Sequence, residues 1–136
     1  MRPTTRVWCV VDVEAPAPHA SLDEAIALAR RSGVRMALSN PCFELWLLLH
    51  IKHVLAYQTS ADAQRALEKD GACGYAVQRK HLDYVKLAGP DGARHAQAEA
   101  RAQKLRAGTD RGHQANPWTD VDILVGLLHE ARSGGR

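Results

Sequence analysis

A chain of 136 residues with 46% hydrophobic and 24% charged side chains has the size and balance of one globular domain, able to bury a core without staples. Its net charge of +3 is too mild to argue alone for a nucleic-acid partner, and Cys9, Cys42 and Cys73 lack the spacing of a zinc site and suit reduced thiols better than a disulfide frame. The apolar run 42–49 is far shorter than the roughly 20 residues that span a bilayer, and the prolines and acidic residues near the start argue against a signal peptide, so a soluble cytoplasmic domain with no membrane partner is expected.

Residues 6–12, "RVWCVVD", form a valine-rich run that predicts a strand buried on both faces, as in parallel sheets. After a Pro/Ala loop, Ser21 and Glu24 make an S-x-x-E capping box ahead of a helix with Leu22, Ala25, Ile26 and Ala29 at helical spacing and Gly33 as its stop. Residues 34–38 predict a second strand, and a strand-helix-strand unit of this length predicts parallel pairing with a right-handed crossover. Asn40-Pro41 reads as the cap and first residue of a helix that is apolar nearly all round. A helix over 61–69 stops at Gly71, and 75–87 fits either helix or extended chain. An alanine-rich helix over 93–107 ends at Gly108. After a second Asn-Pro, at Asn116-Pro117, Thr119 and Asp122 predict the cap of a last amphipathic helix. Residues 1–132 are thus expected as a single domain and 133–136 as a disordered tail.

Ligands and catalytic groups of open α/β sheets collect beyond the carboxyl ends of the strands. Asp12 and Glu14 fall there; at i and i+2 of an extended chain two carboxylates lie about 6.5–7 Å apart on one side. Such a pair can bracket a hard cation such as Mg²⁺, or can be a plain acidic loop entry. Asn40 and Glu44 follow the second strand, so Glu44 can approach the same edge. The helix dipole also favours a first-turn carboxylate, but a buried one needs a partner, a metal or a raised pKa. His50 and His53 lack the neighbours of a metal site, and helical spacing sets His50 against Trp46. Lys86 suits a solvated position, neutralisation of a buried carboxylate, or a hold on a phosphate. Basic residues gather between Arg94 and Arg111, which matters for nucleic acid if they share a face. No phosphate loop, dinucleotide fingerprint or nucleophile elbow occurs, so nucleotide-driven chemistry would need another subunit.

Three segments in order, "VWCVVDVE" (7–14), "SNPCFELWLLLH" (39–50) and "NPWTDVDILVGLL" (116–128), together resemble the RloB-like family. "YVKL" and the alanine-rich helix fit as well, and the resemblance covers nearly the whole chain. It implies a TOPRIM/Rossmann-like three-layer α/β fold with a short, mainly parallel sheet. It also implies a Mg²⁺- or Mn²⁺-dependent nuclease acting on DNA or RNA in anti-phage defence, in loci associated with restriction-modification, with an ABC-type ATPase as partner. Asp12 and Glu14 occupy the family's acidic-pair position, with Glu where Asp is more usual, and Glu44 stands as a third catalytic and metal-binding carboxylate. Asn40, His50, Lys86, Asn116 and Thr119 are the expected supporting residues. None of the 11 residues before Asp12 is acidic, so the earlier acidic strand that the resemblance implies is not expected among them: the chain is a fragment, Glu44 substitutes, or the domain no longer cuts. The expectation is a sheet truncated at the N-terminus, with an edge open to another chain and a route to oligomers. The alternative is a catalytically inactive or fragmentary domain that acts as a binding or regulatory partner in a defence system.

Overall fold

The computed structural model describes residues 6–71 and 73–134. Three strands, β1 (Trp8–Asp12), β2 (Arg35–Asn40) and β3 (Trp118–Thr119), form one sheet in that order. β1 leads through α1 (Leu22–Arg31) into β2, and the two strands run parallel from Trp8 beside Arg35 to Asp12 beside Ser39. The expected strand-helix-strand unit is present and the chain is α/β. The sheet is mixed rather than mainly parallel, because the two-residue β3 pairs antiparallel with β2, Thr119 against Ser39 and Trp118 against Asn40.

Side chains of β2 alternate between two cores, as the period of a strand requires. Met36 and Leu38 pack with Leu22 and Ile26 of α1 and with Val13 and Trp118, while Ala37 enters the larger core on the other face. Helices therefore cover both faces. β1 is not buried on both sides, contrary to the reading of its apolar run. It is an edge strand, with Cys9 exposed and Val10 49% exposed. The doubly buried position belongs to β2, whose last four residues are all buried.

The larger core is organised around α2 (Glu44–Leu49), every residue of which is buried. That explains a helix apolar all round: α3 (Ser60–Asp70), α4 (Tyr84–Ala88), α5 (Ala93–Ala107) and α6 (Val121–Gly134) supply Leu67, Leu87, Ala98, Ala102 and Val121 to the same cluster. Ala98 and Ala102, one helical turn apart and without exposure, let α5 lie close to α2. Each buried leucine of α2 contributes roughly 1.5–3 kcal/mol of apolar transfer.

Helix starts depart from sequence expectation where tertiary partners intervene. α3 has a full capping box between Thr59 and Asp62 and ends at Gly71 with φ of +69°. Ser21 makes no side-chain capping bond at α1, so the expected S-x-x-E box is absent. Asn40 does not cap α2; it ends β2 and its amide reaches Asn116. Thr119 lies in β3, yet its hydroxyl accepts from the Val121 N–H at the start of α6 (3.2 Å), so its half of the expected cap is met, while Asp122 pairs with Arg106 instead of closing a box. α6 runs through Gly134, and the last two residues of the expected tail, 135–136, lie outside the described residues.

Candidate functional site

Beyond β1 the chain stays paired to the end of β2 and the residue that follows it: the Val13 N–H donates to the Ser39 carbonyl (2.8 Å) and that of Glu14 to the Pro41 carbonyl (2.7 Å). Glu14 then adopts φ of +76°, a left-handed conformation that costs a non-glycine residue about 1–2 kcal/mol. The extended i, i+2 arrangement expected for Asp12 and Glu14 therefore ends at Val13. The turn aims Glu14 Oε1 at the Ser60 hydroxyl, which donates to it at 2.9 Å from the first residue of α3. Asp12 Oδ1 accepts from the Phe43 N–H at 2.9 Å, serving the start of α2 in place of a cap from the helix's own sequence. Glu44, only 6% exposed, accepts from the Tyr75 hydroxyl at 2.6 Å and stands 3.7 Å from the Lys80 ammonium.

The carboxylates of Asp12, Glu14 and Glu44 thus share one edge and feel each other. Burial above all, then the charges of Glu14 and Glu44, hold the Asp12 carboxyl above the usual carboxylate range; the Phe43 N–H and Lys80 pull the other way without cancelling them. Burial and the adjacent Glu44 push the Cys42 thiol up. The same two causes raise the Tyr75 hydroxyl, which keeps it a hydrogen-bond donor to Glu44. Removing that donor leaves a buried carboxylate oxygen short of a partner. Tyr75→Phe is expected to lower stability by about 1–2 kcal/mol, read as a shift in the urea unfolding midpoint.

Asn40 and Asn116, the asparagines of the two Asn-Pro segments, are hydrogen-bonded to each other: Asn116 Nδ2 donates to Asn40 Oδ1 at 3.1 Å and to the Gln58 carbonyl at 2.8 Å. Asn40 Nδ2 donates to the His113 carbonyl at 2.9 Å. Thr119 Oγ1 lies 2.8 Å from the Ser39 hydroxyl. These three expected support residues fasten the strand ends beside the carboxylates. His50 is not brought to that edge. It is fully buried, with Nδ1 donating to the Trp46 carbonyl (3.0 Å) and Nε2 meeting the Tyr84 hydroxyl (3.2 Å). Lys86 is exposed on α4, and the cation that pairs with Glu44 is Lys80. Nor do the basic residues of 94–111 share one free face, since Arg101 donates to the Leu49 carbonyl and Arg106 is tied to Asp122. Tyr75, Lys80 and Ser60 carried no sequence signal: they sit in a segment of ambiguous structure and at the start of a helix, at no diagnostic spacing from the carboxylates.

His50 carries a pH dependence of its own. Burial, with smaller effects from the charges of His95 and Arg101, pushes its pKa down to about 4 from an ordinary 6.5. As pH falls from 6.5 toward 4 the unfolded chain takes up a proton that the folded chain refuses, so stability falls, by about 3 kcal/mol once pH is below both values. Urea unfolding at pH 7.5 and 4.5 checks this, and the same pair of measurements on His50→Gln should show a smaller loss.

The family model described as RloB-like protein matches residues 2–128. The chain belongs to the RloB-like family. No curated protein and no solved structure matches it. In this RloB-like chain no helix among the described residues is long and apolar enough to cross a membrane. Among the same residues no three His, Cys, Asp or Glu side chains form a group able to hold a metal ion. A closed protein cage for a metal is therefore absent from the described residues. The oxygen donors of Asp12 and Glu14 do suit Mg²⁺, an ion commonly held by one or two carboxylates, waters and substrate phosphates.

Proposed function

We propose that this RloB-like domain is a TOPRIM-type nuclease of the bacterial cytoplasm that hydrolyses DNA or RNA phosphodiesters in anti-phage defence, with Mg²⁺ or Mn²⁺ as cofactor and an ABC-type ATPase of the same locus as partner. The observation that carries this reading is the gathering of Asp12, Glu14 and Glu44 at the carboxyl end of a parallel strand pair, close enough for the charges of the other two to raise the Asp12 carboxyl. That edge is where open α/β sheets bind ligands, and the family resemblance assigns the acidic pair to Asp12 and Glu14. These two would hold the metal, which when bound would activate water and offset charge on the phosphoryl group. Glu44 adds negative potential and is held by the Tyr75 hydroxyl. Lys80, its side chain 57% exposed, has the freedom to leave Glu44 for a phosphate oxygen.

The test is cleavage of labelled single- and double-stranded DNA and RNA, with Mg²⁺, Mn²⁺ or EDTA, alone and with the neighbouring ATPase. Metal-dependent cutting that disappears in Asp12→Asn supports the reading; cutting that survives the substitution overturns it.

A second reading, a non-catalytic binding partner, is favoured by one observation: each carboxylate already has a protein partner, in the Phe43 N–H, the Ser60 hydroxyl, and Tyr75 with Lys80. The β1 edge, with Val7 52% and Val10 49% exposed, is where a partner strand or a second copy would add. This reading expects no cleavage with any metal, together with co-purification of the ATPase.

A further inference from the structure

A cavity of about 350 Å³ opens beside the carboxylate edge, between the start of α1 and the turn Gly112–Gln114. Its size is that of small-molecule pockets. Buried Val13 and Leu22 give it an apolar floor, and Arg111, His19, His113, Gln114 and Asp23 supply polar walls. None of these five is one of the three carboxylates, although Asn40, whose amide donates to the His113 carbonyl, also lines the cavity.

Arg111, His19, Gln114 and Asp23 reach the cavity from the solvent-exposed side, and His113 is half-buried. Among the described residues, the ion pairs are Arg65–Asp62, Lys80–Glu44 and Arg106–Asp122, so the Arg111 guanidinium has no acidic partner although Asp23 lines the same space. A guanidinium fork presents N–H donors in a geometry that matches an oxoanion. The His113 ring is fixed edge-on against Trp118, with centroids 6.5 Å apart, and His19 is held locally by the Ser21 N–H on its Nδ1. Imidazole rings and guanidinium planes are surfaces on which bases stack. The first turn of α1 faces the same region without a side-chain cap from Ser21, but Asp23 and Glu24 in that turn already offset its dipole, so the anion contact falls to Arg111.

Asp23 opposes a ligand that is only an anion. A ligand that is anionic at one end and carries hydroxyl or amine donors at the other satisfies Arg111 and Asp23 together. We infer that this cavity binds a nucleoside monophosphate unit, its phosphate on Arg111 and its donor groups toward Asp23 and Gln114. The unit is either a free nucleotide or the 5′-phosphorylated end of a strand. The inference does not depend on cleavage, because the residues it uses are separate from Asp12, Glu14 and Glu44.

Isothermal titration of the full chain with inorganic phosphate, the four nucleoside 5′-monophosphates, and one short oligonucleotide with and without a 5′-phosphate tests it. At least one monophosphate should bind about tenfold or more tightly than inorganic phosphate. Arg111→Gln should weaken that binding about tenfold or more, the scale of a charge-assisted contact, at an unchanged melting temperature. Asp23→Asn should narrow the gap between nucleotide and inorganic phosphate. Oligonucleotide binding that requires the 5′-phosphate assigns the cavity to a strand end; binding of monophosphates alone assigns it to free nucleotide. The inference is overturned if no probe binds saturably, if inorganic phosphate binds as tightly as every nucleotide, or if Arg111→Gln binds like the unsubstituted protein. Asp12→Asn should leave this binding intact, which separates the inference from the proposed nuclease activity.

Discussion

Replacing Asp12 with asparagine is expected to abolish metal-dependent cleavage while leaving the melting temperature unchanged or higher. Asparagine keeps an Oδ1 acceptor for the Phe43 N–H, so the contact that starts α2 survives. What it removes is a negative charge that the fold holds at a cost. The Asp12 carboxyl stands above its usual range, through burial first and then through repulsion by Glu14 and Glu44. With the folded pKa above the unfolded one, the folded state binds more protons across the interval between them. Stability from this group is therefore greatest at acid pH and falls as pH rises through that interval. The substitution relieves this at neutral pH, and the stability difference between the two proteins should shrink as the pH is lowered. Melting curves at pH 7 and pH 4, run beside the cleavage assay, check both parts. A strongly destabilised Asp12→Asn protein would mean that the carboxylate serves the fold, and would remove the reason to regard it as kept for chemistry.

Arg106→Ala is expected to cost about 3 kcal/mol, the largest stability loss among the substitutions considered. From the last turn of α5 the guanidinium donates to both oxygens of Asp122, at 2.5 and 3.0 Å, and to the Thr119 carbonyl at 2.8 Å. It thereby ties β3 and the start of α6 to α5. The side chain of Asp122 is 2% exposed and that of Arg106 21%. Truncation strands a buried carboxylate with no counter-charge, which typically costs 3–5 kcal/mol, and the partial exposure of Arg106 places this case near about 3. Lysine should restore only part of the loss, since one ammonium cannot reproduce the two-pronged contact. Urea unfolding midpoints of Arg106→Ala, Asp122→Asn and the double variant form the test. The double should be less destabilised than the sum of the singles, because the stranded charge is gone. Additive losses would show that the pair is not coupled.

Some of these features were visible in the chain and others were not, and locality divides them. The Thr59 box, Gly71 and the alanine-rich pattern of α5 act over three to five residues, so the helices expected over 61–69 and 93–107 are found as Ser60–Asp70 and Ala93–Ala107. The Ser21 box is equally local in sequence, yet the Ser21 side chain makes no capping bond, and only its backbone carbonyl, accepting from the Ala25 N–H, serves the helix start. The valine run of β1 signalled a strand correctly but not its rank in the sheet. Burial on both faces depends on what lies on either side, and an edge strand and a central one share the same propensities.

By itself the sequence determined the α/β class, the strand-helix-strand unit and membership of the RloB-like family, and it set Asp12 and Glu14 at and just past the end of β1 and Glu44 at the start of α2. Each of these follows from short-range pattern or from a motif matched in order. Only the tertiary structure decided which groups those carboxylates touch: Ser60 is 46 residues from Glu14, Tyr75 is 31 from Glu44, and Asn116 is 76 from Asn40. Such partners are chosen by the packing of α2 against α3, α4 and α5, where shape and burial select among many lysines, tyrosines and serines that are chemically equivalent in the unfolded chain. That selection put Lys80 where Lys86 was a candidate, withdrew His50 into the core, and left Arg111 without an acidic partner among the described residues, beside a cavity.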